Sequence, residues 1–267
     1  MQDVKVIIQD HHPHILGLGE ANFKREHDLD DIKIDGYNVH IDNAIDCLEL
    51  ANTARVVVYT HNLLRVKRRP DLEIHNVSAV WLECGLPYQK SSLVCMAYRQ
   101  WRLLGQNDDR SSTVNEQRVR WSAFLDKWEL ALTEGKEVMV LMDANLDHLT
   151  WRQSYRLNPS HSSVRLKSLI DLLFTKIIPQ GVCQLVNVAT RFEQGRPLSG
   201  LDHVYTNKPD KLSPVCTFFT GCSDHKLIKV VRFSKSFKQL SRYIKRRVFK
   251  DFNDQDFLKK LSEVNID

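Results

Sequence analysis

The stretch EVMVLMDANLDH, residues 137–148, decides the fold class of this chain. It starts as an apolar run typical of a buried strand and ends in the polar pair Asp143 and Asn145. Polar side chains at strand ends, on loops that a rigid sheet holds, are where α/β proteins build functional sites. The stretch therefore predicts an α/β protein with a site at one end of a sheet.

Helical and extended patterns alternate early in the chain, and short strands cluster later. Apolar residues at helical spacing predict a short helix that ends before Pro13 and longer helices over 111–134 and 164–178. The four bases within 65–69 predict a basic loop. The predicted strands are 14–18, 55–60, 79–84, 92–99, 137–143, 183–188, 201–206, 214–220 and 227–233. This order predicts a layered α/β protein with mixed sheets.

Composition excludes several classes of protein. The chain has 267 residues, of which 42% are hydrophobic and 27% charged, and these values argue against disordered, collagen-like and coiled-coil sequences. No run reaches the roughly 18 apolar residues that a membrane helix needs, and the N-terminus does not follow the pattern of a signal peptide. The six cysteines form no CxxC pair, so we expect reduced thiols, an intracellular protein and no zinc site.

The positive charge is confined to the C-terminal part of the chain. From Lys226 onward there are 12 Lys and Arg against 5 Asp and Glu, a net charge of +7. The remainder holds 26 bases against 28 acids, a net charge of −2. A near-neutral body with a basic tail is typical of nucleic-acid contact, although a solvated helix explains the tail equally well.

The polar residues at the strand ends form a chemically coherent set. They comprise the carboxylates, amides, histidine and tyrosine Glu20, Asn22, Tyr98, Asp143, Asn145, Asp202, Asp224 and His225. Carboxylate oxygens suit Mg²⁺ or Mn²⁺, and a His–Asp pair can donate hydrogen bonds or move protons. This set favours phosphoester hydrolysis. Taken singly, each residue also has a structural explanation, such as a turn former or a helix cap.

Five segments in a fixed order resemble the exonuclease–endonuclease–phosphatase superfamily. Within it the chain looks most like the apurinic-type endonuclease domain of non-LTR (LINE-like) retrotransposons. The segments are LGLGEANF (16–23), MAYRQW (96–101), LMDANLDH (141–148), SGLDHVY (199–205) and SDHKLI (223–228). The resemblance implies an α/β (α+β) fold of the DNase-like kind, a four-layer sandwich of two mixed β-sheets flanked by helices.

The resemblance also implies catalytic and metal-binding roles. Glu20 would be a metal ligand, with Asp224 bound to the metal directly or through water. Asp143 would activate the attacking water or protonate the leaving group. His225 would contact the scissile phosphate, supported by Asp202. The implied cofactor is Mg²⁺ or Mn²⁺.

Further residues complete the expected site. Asn145 would orient Asp143, and Tyr98 would touch the phosphate. The residues expected to bind substrate are Arg99, Thr190, Asn22 and Ser223. Phosphate contacts are also expected from the other bases Arg65, Lys67, Arg68 and Arg69.

The expected domain organisation is an endonuclease/exonuclease/phosphatase domain over 1–233 and a basic helical linker over 234–267, leading toward a reverse transcriptase domain in a parent polyprotein. Relatives open with a strand that carries an Asn, and this sequence starts within the helix that follows. We therefore expect an N-terminally truncated domain with an exposed sheet edge and an apolar gap. Met142, where many relatives have Gly, should crowd its loop.

The resulting functional prediction is a metal-dependent endonuclease that nicks target DNA for retrotransposon integration. DNA would be bound through its phosphate backbone, no membrane partner is expected, and the protein would act in the nucleus. The KRR run at 245–247 agrees with that location. Two alternatives stay open at this point: a catalytically impaired relic that binds nucleic acid, and a phosphatase of the same superfamily.

Overall fold

The computed structural model describes residues 1–50, 52–85, 90–100, 110–148, 164–233 and 252–264. The chain divides into two compact units, Met1–Phe233 and Ser234–Asp267. The first unit, called the main unit below, carries both sheets and every residue of the predicted site.

Four α-helices and fifteen strands are found in the described part of the chain. The helices are α1 (Gln2–His11), α2 (Arg110–Thr133), α3 (Val164–Lys176) and α4 (Asp254–Ser262). The strands are β1 (Ile15–Leu18), β2 (Phe23–Lys24), β3 (Tyr37–Ile41), β4 (Thr53–Ala54), β5 (Val57–His61), β6 (Arg65–Arg68), β7 (Ser78–Gly85), β8 (Ser92–Tyr98), β9 (Glu137–Asp143), β10 (Cys183–Gln184), β11 (Arg191–Glu193), β12 (Arg196–Ser199), β13 (Asp202–Thr206), β14 (Cys216–Phe218) and β15 (Leu227–Lys229).

Two sheets organise the main unit. The larger has six strands in the order β10-β13-β9-β8-β7-β6, and the smaller has three in the order β1-β5-β3. In the larger sheet β8 and β9 run parallel while their neighbours are antiparallel, so this sheet is mixed. The three described strands of the smaller sheet are antiparallel, which differs from the two mixed sheets that we expected.

Alternation of side chains along the strands produces four layers. On one face of the larger sheet, residues such as Cys95 and Val140 pack against Trp128 of α2 and Leu173 of α3. The opposite face, which carries Val94, packs against residues of the smaller sheet. The far face of the smaller sheet is covered by α1. The order is therefore helices, six-stranded sheet, three-stranded sheet, helix, as the sandwich prediction requires.

One position shows how closely the two sheets approach. A Cβ atom at Gly17 of β1 would collide with the Met96 side chain, so a larger residue there requires Met96 to move.

Met142 is buried and packs on the helix-facing side of β9, with Val140. Its neighbours Leu141 and Asp143 point to the opposite side because side chains alternate. Met142 therefore does not crowd the loop, and that expectation was wrong.

The main differences from the predicted elements concern short or polar strands. Residues 65–68 form β6 and not a basic loop, because Val66 packs against the core while Arg65 and Lys67 alternate outward. The hairpin of β11 and β12 was not predicted, since neither strand has a buried face. By contrast β9 has the bounds predicted for it.

The second unit is described only over 252–264, which contains α4 with Asn253 as its N-cap. The linker prediction for 234–251 lies outside the described residues.

Across the described part of the chain, no helix is long and apolar enough to cross a membrane. All six cysteines are free thiols, and Cys47, Cys84 and Cys95 are buried.

Candidate active site

Three predicted site residues lie side by side at one end of the six-stranded sheet. Tyr98 ends β8 and lies opposite Asp143, which ends the parallel strand β9. Asp202 begins β13 and lies opposite Asp143 on its other side, because β13 is antiparallel to β9. The register therefore brings Tyr98 and Asp202, 104 positions apart in sequence, to either side of Asp143. We call these three residues, with His225, the row.

His225 joins this row from the loop before β15. Its Nδ1 atom lies 2.8 Å from the Asp202 Oδ2 atom. This hydrogen bond raises the pKa of His225 to about 9, against the opposing effect of burial. At neutral pH the ring is therefore an imidazolium that donates to Asp202, and its Nε2 atom is a second donor.

Two predicted substrate-binding residues instead hold the backbone around this pair. Thr190 is fully buried, and its Oγ1 atom accepts hydrogen bonds of 3.1 Å from the Leu201 and Asp202 amides. The Ser223 hydroxyl accepts from the His225 amide at 3.0 Å. Because Thr190 has no exposed surface, its prediction as a substrate contact was wrong, and it acts as a positioning residue for Asp202.

The surroundings of Asp143 disfavour the charged form of its carboxyl group. Burial, followed by the neighbouring Asp202 carboxylate, raises its pKa to about 7. Its Oδ1 atom accepts a hydrogen bond of 3.0 Å from the Asn145 amide. The backbone of Asn145 thus orients the carboxylate, while the Asn145 side chain donates to the Arg99 carbonyl. The predicted orienting role falls on the main chain and not on the side-chain amide.

Glu20 approaches from the smaller sheet. The Tyr98 hydroxyl donates a hydrogen bond to Glu20 Oε1, and burial together with this carboxylate raises the pKa of Tyr98. Glu20, Asn22 and Asn145 all have positive φ angles, between 48° and 53°. Such angles are uncommon outside glycine and cluster at functional sites, where surrounding structure holds them.

Asp224 and Asn22 have partners outside the row. The Arg191 Nε atom donates to Asp224 Oδ2 at 2.9 Å, and this bond lowers the pKa of Asp224. The Arg55 guanidinium donates to the Asn22 side chain. Arg191 and Arg55 were both missed in the sequence. Arg191 could have been suggested by its place directly after Thr190, but the pairing of Arg55 depends on strand register alone.

Arg99 is placed differently from the phosphate contact that we predicted. Its guanidinium is buried and donates to the carbonyls of Ala144 and Asn145, the latter at 2.8 Å. A further bond of 3.2 Å reaches the Gln117 side chain. Burial lowers the pKa of Arg99 to about 10. Arg99 therefore ties down the loop that follows Asp143, and we correct its role to a positioning residue.

Asp143 and Asp202 could hold a metal ion, since one ligand atom from each and one from His225 lie within 4.8 Å of one another; the protonated His225 ring would lie beside the ion and not bind it. The two carboxylates are hard oxygen ligands that suit Mg²⁺ or Mn²⁺. Burial and the neighbouring Asp202 carboxylate disfavour the charged form of Asp143 and raise its pKa, and a bound cation would offset both effects. These residues therefore fit a divalent cation. Of the predicted ligands, Glu20 contacts Tyr98 of this row and Asp224 is paired with Arg191.

A cleft of about 460 Å³ leads from the row into the space between the sheets. Its lining includes the polar residues Asp143, Asp202 and His225. It also includes apolar residues such as Ile15 of β1 and Leu227 of β15. Among the described strands, β1 pairs only with β5, so its second edge borders this cleft.

The basic residues of β6 lie toward the opposite end of the sheet from this row. Arg65 lies opposite Gly85, near the starts of β8 and β9, whereas the row lies where these strands end. The seven residues of β8 separate the two ends by about 20 Å. Arg68 is paired with Glu73, and Arg69 with Asp71, Glu83 and Glu134. Arg68 and Arg69 are therefore engaged by carboxylates, whereas Arg65 and Lys67 are exposed, and their contact with the DNA backbone away from the row stays a prediction.

Arg69 is instead predicted to stabilise the fold. Arg69→Met removes the guanidinium that three carboxylates share and should lower the free energy of unfolding by about 1–3 kcal/mol. Urea unfolding followed by circular dichroism measures this. Arg25→Met is the control, because Arg25 forms an exposed pair with Asp46 and should change stability by under about 0.5 kcal/mol. Equal effects of the two substitutions would contradict the prediction.

The chain resembles known proteins in structure and not in sequence. No protein-family sequence model matches the chain, and no curated protein matches it by sequence. Three solved structures superpose on it over most of its length. The first is the endonuclease domain of TRAS1, a telomere-specific non-LTR retrotransposon, with a TM-score of 0.59, 13% identity and coverage of 88% of this chain and 93% of that one. At this identity the likeness shows a shared fold, which is the DNase-like sandwich predicted from the sequence.

Two further structures with this fold have different stated activities. The apurinic endonuclease LMAP from Leishmania major has a TM-score of 0.62 at 12% identity, covering 87% of this chain and 82% of that one. The 3′ phosphatase NExo from Neisseria, solved with a product DNA hairpin, has a TM-score of 0.60 at 14% identity, covering 87% and 94%. The same fold therefore occurs in two endonucleases and in a phosphatase.

Proposed function

We propose that this chain is a metal-dependent endonuclease that hydrolyses a phosphodiester bond of DNA. The observation that carries the proposal is the His225–Asp202 pair set directly beside Asp143 at the end of the sheet. This is an imidazolium next to a carboxylate that exchanges protons near neutral pH. The three structural neighbours, two endonucleases and a DNA phosphatase by title, support DNA as the substrate.

Each residue of the row has its own role in the proposed hydrolysis. His225 donates from Nε2 to a phosphate oxygen and so stabilises negative charge that develops there. Asp202 keeps that ring charged and oriented. Asp143 takes a proton from the attacking water or returns one to the leaving oxygen, the two roles open to a carboxyl group beside the reacting atoms. Tyr98 donates to Glu20 or to the phosphate.

The proposed cofactor is Mg²⁺ or Mn²⁺, held by Glu20 and the carboxylates of the row, with Asp224 near it. A bound divalent ion supplies positive charge that polarises the phosphoryl group and stabilises the leaving oxygen. Glu20 belongs to this group because its charge acts on Asp143. Asp224 would first have to exchange its bond to Arg191 for the metal or a bound water.

The biological setting of the proposal is target-site nicking by a retrotransposon. The TRAS1 neighbour and the order of the five sequence segments support it. In this setting the nick would leave a 3′-hydroxyl that primes reverse transcription, the protein would act in the nucleus, and residues 234–267 would lead to a reverse transcriptase. The basic C-terminal segment would add phosphate contacts.

Metal dependence is the first test of the proposed activity. The full chain with Mg²⁺ should convert supercoiled plasmid to the nicked form, and EDTA should abolish the conversion. Restoring Mg²⁺ or Mn²⁺ in excess should return it. Gel electrophoresis measures the rate, and circular dichroism with and without EDTA shows whether the fold is retained. Nicking that continues in EDTA would rule out the proposed cofactor.

A catalytically impaired nucleic-acid-binding domain is the second candidate, and two observations favour it. Glu20 is hydrogen-bonded to Tyr98, and Asp224 is paired with Arg191, so both predicted metal ligands are engaged by protein groups. DNA binding by a folded chain that does not nick with any divalent ion would support this candidate over the enzyme.

The N-terminal strand expected from the resemblance stays a prediction. The free edge of β1 and the apolar wall of the cleft are where such a strand would pair and pack. A synthetic extension that supplies an apolar strand with an Asn upstream of Met1 should then raise the melting temperature and the nicking rate together.

A further inference from the structure

Arg191 lies beside the row, and the proposed chemistry gives it no role. It begins β11, and its Nε atom donates a hydrogen bond of 2.9 Å to Asp224 Oδ2. Its two terminal nitrogens, Nη1 and Nη2, have no hydrogen-bond partner within the parts of the chain that the structure describes. Because a guanidinium carries five N–H donors in a planar fork, most of this fork is available to a ligand.

The backbone holds Arg191 next to the site residues. Arg191 forms an isolated β-bridge with His225, and the amide of the following residue, Phe192, donates to the Asp224 carbonyl at 2.8 Å. The hydrogen bond to the Asp224 carboxylate raises the pKa of Arg191, and the charge of Asp143 acts in the same direction. The guanidinium therefore lies within electrostatic reach of the place where the phosphate is proposed to react.

The ion pair between Arg191 and Asp224 can be exchanged for other partners at low cost. The two side chains are 45% and 52% exposed, and ion pairs in such surroundings contribute little to stability because water screens them. A phosphate binds a guanidinium fork through two parallel charge-assisted hydrogen bonds, which is a stronger interaction. A carboxylate that is released from its arginine is a hard oxygen ligand for a divalent cation.

We propose that Arg191 is a phosphate-binding residue of this site, and that its exchange from Asp224 to the DNA backbone couples phosphate binding to metal binding. A metal alone must compete with Arg191 for Asp224, and a phosphate alone must compete with Asp224 for Arg191. With both ligands bound, each side chain has a partner of opposite charge. Each ligand therefore strengthens the binding of the other by the same factor. The exchange rests on the proposed function, because it concerns the metal and the substrate of the same site.

Mn²⁺ binding in the absence of DNA tests the first half of the exchange. Electron paramagnetic resonance measures free Mn²⁺ during a titration of the full chain. Arg191→Gln should bind Mn²⁺ about two- to fivefold more tightly than wild type, because Asp224 is no longer neutralised. Arg196→Gln is the matched control: it removes the same charge from the other strand of the hairpin, where Arg196 lies opposite Glu193, and should leave the affinity near the wild-type value. An arginine with only a structural role would give no gain in metal affinity when it is removed.

DNA binding tests the second half. Fluorescence anisotropy gives the affinity for a labelled duplex in EDTA and in Ca²⁺, a cation with the same preference for oxygen ligands, and gel electrophoresis checks that the duplex stays intact. Ca²⁺ should strengthen binding by wild type and by Arg196→Gln about two- to fivefold more than binding by Arg191→Gln. In EDTA, Arg191→Gln should also reduce the slope of log affinity against log salt concentration by about one, as the loss of one phosphate contact requires.

The outcomes separate the exchange from the endonuclease. Equal Mn²⁺ affinity of wild type and Arg191→Gln, or an equal gain from Ca²⁺ in both, would overturn the exchange, and plasmid nicking by the same wild-type protein would leave the endonuclease standing. The expected differences in a chain that never nicks plasmid would overturn the endonuclease and leave the exchange standing. Both arginines are exposed, so both variants should fold, which thermal melting checks.

Discussion

Replacing His225 by Ala or Asp202 by Asn is expected to lower DNA nicking by about 10²-fold or more in each case. His225→Ala removes the donor that faces the phosphate. Asp202→Asn keeps the size of the side chain but removes the carboxylate that raises the pKa of His225, so the ring loses its charge at neutral pH. Initial rates of plasmid nicking at saturating Mg²⁺ measure both effects.

The structure indicates how this experiment should be controlled. Asp210→Asn makes the same chemical change on an exposed carboxylate in the Pro209–Lys211 turn and should leave the rate unchanged. Both site variants should melt near the wild-type temperature, because Asp202 and His225 are only partly buried and chiefly contact each other. Because the pair acts as a unit, the double variant should be little worse than either single one. Near-full nicking by either single variant would contradict the assigned roles.

Replacing Arg99 by Leu is expected to cost both stability and activity. The guanidinium is buried and donates to the carbonyls of Ala144 and Asn145, which would be left without these donors. Losing charged hydrogen bonds of this kind should lower the free energy of unfolding by about 2–4 kcal/mol. The loop after Asp143 would also lose its tether, so nicking by the folded fraction should fall by at least tenfold.

Arg99→Lys separates this positioning role from a contact with DNA. Lysine keeps the charge but not the planar fork, so it should recover only part of the stability. Urea unfolding and nicking rates would be compared for both variants. Weaker DNA binding with an unchanged free energy of unfolding would restore the phosphate contact that we first predicted for Arg99.

Strand periodicity accounts for most of what could be predicted about the fold. The apolar runs of β7, β8 and β9 are long, so the sequence pattern predicted the ends of these strands to within one residue. The missed strands include β3, whose residues are mostly half-buried, and strands of two further kinds. β6 alternates bases with an apolar residue on one partly buried face, and β11 and β12 have no buried face at all. In such strands backbone pairing supplies the stabilisation, since β6 pairs with β7 and β11 pairs with β12, and an apolar pattern does not reveal it.

The site, like the fold, could be predicted only in part. The sequence alone determined that acids, amides and a histidine would gather at strand ends, because those residue types are otherwise costly next to buried strands. Tyr98, Asp143, Asp202 and His225 were all predicted and all meet in one row. Only the tertiary structure decided which of the remaining polar residues face a substrate and which hold the backbone.

Arg99 and Thr190 illustrate the reason. In sequence each is a polar residue beside a site residue, and nothing local distinguishes a phosphate contact from a backbone tether. Arg99 is buried because the loop after β9 passes over it, and Thr190 because the start of β13 does. Burial and hydrogen-bond partners depend on which distant segments meet, so composition and spacing determine the chemistry available to this protein, whereas packing assigns each group its role.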